Sequence, residues 1–177
     1  LSLHDALPIL ALATAAAIAN LLNDWHVGRA LLQRWALIPY LVYVCMALGY
    51  ALIGLGRLSG NEMTSAGEHL LVVGSLGLAV LIVMAVAGRM HSGWGLDHRR
   101  WLPLGALLFV LAALARAGSS TPFGAAAATA GLHAAATLWI AGWSIYLAYS
   151  LKPLSGPRPD DRGGCDEAAP VVEAATP

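Results

Sequence analysis

One stretch constrains the fold more than any other: Leu70 to Gly88, nineteen uncharged residues running between His69 and Arg89. A helix rises about 1.5 Å per residue and the hydrocarbon core of a bilayer is about 30 Å thick, so this run just crosses a membrane. His69 and His91 therefore fall near opposite surfaces. At a uniform step of about 100° per residue, their separation also returns both imidazoles to within roughly 40° of one helix face. Only 11% of residues are charged and 58% are hydrophobic, with mean hydropathy +0.68. Soluble domains are about a quarter charged, so the composition describes an integral membrane protein. The formal net charge is zero, which gives no reason to expect a nucleic-acid partner.

Further apolar runs build the expected fold, an all-α polytopic transmembrane bundle with four full spans and one truncated N-terminal helix. Helices are expected at about 10–22, 36–56, 67–88, 102–117 and 123–151. The first has only thirteen largely apolar residues, too few to span alone. Residues 1–9, LSLHDALPI, match residue for residue the translated end of a widely used short-read sequencing adapter. They are expected to be an assembly artefact, which leaves the chain a fragment whose partners include missing N-terminal helices of the same protein. From Lys152 the composition turns to Pro, Gly, Ala and charge, so 152–177 is expected to be a disordered tail. Cys45 and Cys165 make neither a disulfide framework nor a zinc site.

Five helices alternate the connections between two sides. Arg29, Arg34, Arg89, Arg99, Arg100, Lys152, Arg158 and Arg162 fall on one side, against Arg57 and Arg116 on the other. The positive-inside rule then places the C-terminus and His91 in the cytoplasm, and His69 on the far side of a bacterial inner membrane.

Two regions carry a family resemblance. His69-x-x-x-Val73-Gly74-x-x-Gly77, an apolar run with Met84, and then His91-Ser92-Gly93 resemble the signature of the NnrS family of bacterial membrane proteins. The last helix adds Leu138-Trp139, Tyr146-Leu147, Lys152-Pro153-Leu154 and Pro157-Arg158-Pro159-Asp160, similar to that family's closing segment. The likeness covers about Arg34 to Gly164. The chain departs from the pattern at Glu68, Val86 and Asp161, and it has Ala47-Leu48-Gly49-Tyr50 where the family has His-Leu-Gly-Tyr. The resemblance implies haem b and copper as cofactors, nitric oxide or another small diatomic as ligand, and a part in denitrification or the stress response to nitric oxide.

Ionisable groups inside a membrane span are costly and are functional candidates by default. His69 and His133 stand out, because neutral imidazole is a good axial ligand for haem iron and a common copper ligand. With the resemblance, His69 is a candidate for haem or metal and His91 for metal. Arg116 is placed to pair with a haem propionate. Plainer readings stand beside these: His69 as an interfacial residue paired with Glu68, His133 bonded to a neighbouring backbone, His91 solvated, Arg116 snorkelling to headgroups. Met63, Met84 and Met90 read as packing residues, and the tryptophans and tyrosines as interface anchors. His26 and His98 read as loop residues.

No nucleophile elbow, phosphate loop, paired-carboxylate site or CxxC is present, so nothing in the motifs assigns an enzymatic reaction. Two other functions compete with the NnrS-like reading. One is a b-type cytochrome subunit, a membrane anchor moving electrons between quinol and a partner; the other is a cofactor-free transporter or scaffold.

Overall fold

The computed structural model describes residues 3–25, 28–121 and 126–161. Among these it is all-helical, with five helices long and apolar enough to cross a membrane. They are α1 (Leu3–Asp24), α2 (Arg34–Ser59), α3 (Met63–His91), α4 (Trp101–Ser119) and α5 (Ala128–Ser155). A short 3₁₀ turn, Gly28–Leu32, leads into α2. The middle of α3, Leu70–Leu76, is wound as π-helix between α-helical segments.

The order of packing follows the chain. α1 lies on α2, α2 on the first two-thirds of α3, and α4 and α5 form a close pair. α3 is central, touching α2, α4 and α5. Lipid tails are as apolar as leucine, so helices in a membrane associate through tight packing rather than through escape from water. Small residues let their backbones approach. A Cβ on Gly67 would lie 2.5 Å from the Gly49 carbonyl, and one on Gly77 would lie 2.7 Å from the Trp139 ring.

The core is largely aromatic on the α4–α5 side. Phe109 is fully buried and meets Trp139 and Trp143 edge-on, with ring centroids 4.6 and 5.1 Å apart. Trp143 then meets Tyr146 at 5.7 Å, and Trp101 stacks on Tyr149 at 5.5 Å. For Trp139, Trp143 and Tyr146 the expectation of interface anchors is corrected here: they form a ladder along α5 that packs against Phe109 inside the bundle, whereas Tyr149 is exposed at the basic end. Edge-to-face pairs of this kind add about 0.5–1.5 kcal/mol each beyond the area they cover.

Four helices outrun their apolar runs at both ends, and α5 does so at its C-terminal end; α5 begins at Ala128, and its expected start at 123 lies outside the described residues. α1 begins at Leu3 instead of residue 10, so the expected truncated helix is long enough to span, and Ala6–Asp24 alone suffices. Pro8 removes one backbone bond in its second turn, and the α1 backbone there packs against Gly54. α3 starts at Met63 instead of 67 and ends at His91 instead of 88; α4 covers Trp101–Ser119 instead of 102–117. α5 reaches Ser155, past the Lys152 at which the tail was expected to begin, and residues 157–161 lie against the end of α3. Residues 162–177, with Arg162 and Cys165, fall outside the described residues, as does His26.

Candidate functional site

The two ends of the bundle differ in kind. At one end gather the starts of α2 and α4 and the ends of α3 and α5, with seven of the eight residues assigned to the basic side: Arg29, Arg34, Arg89, Arg99, Arg100, Lys152 and Arg158. Asp97 organises this end. It is the only carboxylate between Glu68 and Asp160, and it is 6% exposed. Arg99 grips it through hydrogen bonds of 2.5–3.0 Å, Trp101 Nε1 donates to it at 2.8 Å, and Arg89, itself 8% exposed, pairs with it at 3.5 Å. The Arg99 guanidinium, before any other cause, holds the Asp97 carboxyl well below the usual carboxylate range. Arg89 also donates from Nε to the Gly95 carbonyl at 2.9 Å. Arg34 Nη1 donates to the carbonyls of His98 and Arg99, tying the start of α2 to the same connection.

The sequence reading did not single out Asp97. Its signal was available: one acidic residue in a long acid-free tract, inside a connection rich in arginine. A buried arginine beside it requires a counter-charge, and no other carboxylate is near in sequence.

His91 stands at this end, and its imidazole is exposed. What its neighbourhood uses is its backbone. Arg158 Nη1 donates to the His91 carbonyl at 2.8 Å while Nε and Nη2 of the same side chain hold Asp160 at 2.8 and 2.7 Å. Gly93, at φ 73°, passes so near Asp160 that a Cβ there would lie 2.7 Å from its carboxylate oxygen. His91-Ser92-Gly93 and Pro157-Arg158-Pro159-Asp160 are therefore two halves of one joint between α3 and α5. A glycine suits that position on two counts, the left-handed backbone and the missing side chain.

At the other end lie Arg57, His69, Arg116 and His133, and the side-chain bonds of His69 and Arg116 run to residues one turn away or less. α3 begins at Met63, so His69 sits about 9 Å along the helix; α5 begins at Ala128, so His133 sits about 7.5 Å along it. The two are thus at similar depth from the same end. Their directions differ. Gly131 packs against Ser119 and Ala115 of α4, and His133, two residues on and roughly 200° around, is exposed on another face. Arg116 Nη1 donates to the Ser119 and Ser120 hydroxyls, which return hydrogen bonds to the Arg116 carbonyl, so its guanidinium closes the C-terminal end of α4. Among the described residues no hydrogen bond or ion pair joins His69, Arg116 and His133.

His69 has the more informative surroundings. It is half-buried between Ala66 and Leu70, both of which pack on Ala113 and Ala117 of α4. Its Nδ1 lies 2.6 Å from the Ser65 carbonyl one turn back, and that oxygen can only accept, so Nδ1 carries the proton. Nε2 of the neutral ring is then left with its lone pair. Metal-bound histidines are oriented in this way, the second nitrogen donating to a carbonyl. The π-helical segment begins at the next residue, Leu70. A π turn holds more residues than an α turn, so the uniform step that placed His69 and His91 on one face does not run through Leu70–Leu76. The two histidines stand at opposite ends of α3, about 33 Å apart.

A cofactor would need donors that this arrangement only partly supplies. Were haem bound, His69 Nε2 would be the nitrogen free to hold its iron. For copper, the described residues contain no group of three or more His, Cys, Asp or Glu side chains close enough to share an ion.

A five-helix membrane bundle with a charge-locked end and a histidine end is the class that these features define. A family model described as NnrS protein matches residues 1–158, nearly nine-tenths of the chain. The chain belongs to the NnrS family. No curated protein and no solved structure matches it.

Proposed function

We propose that this chain is part of an NnrS-like haem- and copper-binding protein of the bacterial inner membrane, acting in the response to nitric oxide or in protection from nitrosative stress. Family membership supports the reading, and the observation that carries it is His69: a half-buried imidazole in a membrane helix, with Nδ1 bonded to Ser65 and Nε2 left as a lone-pair donor. When bound, haem supplies an iron that takes small diatomic ligands, with selectivity set by the polarity and access of the pocket. The chain's share is to orient the ring by way of Ser65, to hold its tautomer, and to exclude water with the packed α3–α4 contact at Ala66, Leu70, Ala113 and Ala117. The copper half of the reading rests on the family likeness alone, with His91 as the candidate. The basic end and the C-terminus face the cytoplasm in this reading.

Optical spectroscopy tests it. The chain purified gently from a haem-replete membrane is expected to show a Soret band that moves on adding nitric oxide, and His69→Ala is expected to remove the band while His133→Ala retains it. A preparation without a Soret band and without copper overturns the reading.

A further inference from the structure

The basic end contains a cleft that the proposed haem site does not use. It has a volume of about 1070 Å³ and lies between the start of α2, the connection before α4, and the end of α5. Pockets for small molecules are typically about 300–1,000 Å³, so it is large enough for a substantial ligand. Its rim is cationic: Arg34, Arg99 and Arg100 line it, and no carboxylate does. Asp97 answers Arg89 and Arg99 behind the rim, which leaves the Arg100 guanidinium without a hydrogen bond or ion pair among the described residues. Arg34 commits one nitrogen to the His98 and Arg99 carbonyls, an arrangement that fixes the guanidinium at the mouth.

Below the rim the lining changes character. Trp35, Leu104 and Leu107 form an apolar wall, and both leucines are about half exposed. Leu107 lies about 10 Å further along α4 than Arg100. A single cleft thus grades from fixed positive charge to hydrocarbon over the depth at which a bilayer grades from headgroup to acyl chain. Guanidinium groups bind phosphate through paired donors, and basic clefts between membrane helices hold anionic headgroups. A free inorganic anion satisfies the arginines but leaves the leucine wall uncovered.

We propose that this cleft holds one anionic phospholipid, its phosphate between Arg34 and Arg100 and an acyl chain along Leu104 and Leu107. The site is distinct from His69, which lies at the opposite end of the bundle.

Native mass spectrometry of the full chain in detergent, delipidated and then titrated, tests this. Phosphatidylglycerol is expected to bind one to one, at least tenfold tighter than phosphatidylcholine of the same acyl chains, and millimolar inorganic phosphate is expected not to displace it. The double variant R34Q/R100Q is expected to lose about tenfold in affinity for phosphatidylglycerol, whereas R57Q, at the other end, retains it. The Arg100 guanidinium has no internal bond to lose among the described residues, so R100Q alone serves if the double variant fails to fold, with a severalfold loss expected. Equal binding of the two lipids, displacement by phosphate, or unchanged affinity in R100Q overturns the proposal. A photoreactive benzoylphenylalanine in place of Leu104 is expected to cross-link to lipid; cross-linking to protein instead shows the cleft to be a protein interface and likewise overturns it.

Discussion

The two ends of this bundle use polar residues in opposite ways. At the Asp97 end, arginine, tryptophan, carboxylate and backbone carbonyl satisfy one another, and the connections between helices are held by charge. At the His69 end, the side-chain hydrogen bonds of the described residues run to partners close in sequence: His69 to Ser65, Arg116 to Ser119 and Ser120. The lesson is that a dense cluster of ionisable groups can be spent on holding helices together. The crowded end is mostly architecture, with its cleft to spare, while the sparse end leaves a lone pair available.

Substitutions sharpen this contrast, the largest effect coming first. Asp97→Asn removes the counter-charge from the buried Arg89, and breaking a buried pair in this way costs about 3–5 kcal/mol. Thermal unfolding in detergent should show this loss, and a change under 1 kcal/mol would show that the Asp97 cluster is not what holds the end together. The same group sets a pH dependence. The carboxyl of Asp97 is depressed in the folded protein, so its stabilisation is complete above the ordinary carboxylate pKa of about 4 and is lost as pH falls below that value toward the depressed one. Wild type should therefore hold its stability from pH 7 to pH 5 and lose it in stronger acid, a loss largely missing from Asp97→Asn.

Gly93→Ala comes next. It places a side chain at positive φ and against Asp160, and the backbone term alone is about 1–2 kcal/mol. Weaker protection of the α3 end from hydrogen exchange, with the opposite end unchanged, is the expected signature. The smallest effect on stability belongs to His69→Ala, which removes a half-buried ring bonded only to its own helix. We expect less than about 1 kcal/mol. A large loss at His69 with none at Asp97 would reverse the assignment of roles to the two ends.

Much of this architecture was legible in the apolar runs, because a span must be long and uncharged before it can be anything else. Helix ends were not. Polar residues such as Thr64, Ser65 and Glu68 close a hydropathy window, yet they continue a helix whose neighbours Gly49 and Gly56 admit it closely, and so the depth of His69 was missed. The joint of His91 to Gly93 with Arg158 and Asp160 was hidden for a different reason. Its two parts are far apart in the chain, and a glycine and a backbone carbonyl carry the contact, which no pattern of side chains marks. The aromatic ladder was hidden likewise: tryptophan spacing along α5 is the same whether the rings face headgroups or Phe109.

That joint also bears on how the molecule is made. Arg158 follows His91 by 67 positions, and a chain leaves the ribosome from its N-terminus onward. The third helix is thus threaded into the bilayer with its end unfastened, and it stays so through synthesis of the two helices that follow. Only when Pro157–Asp160 emerges does the latch close, so a chain cut short before that point would keep the described spans with one of them still loose.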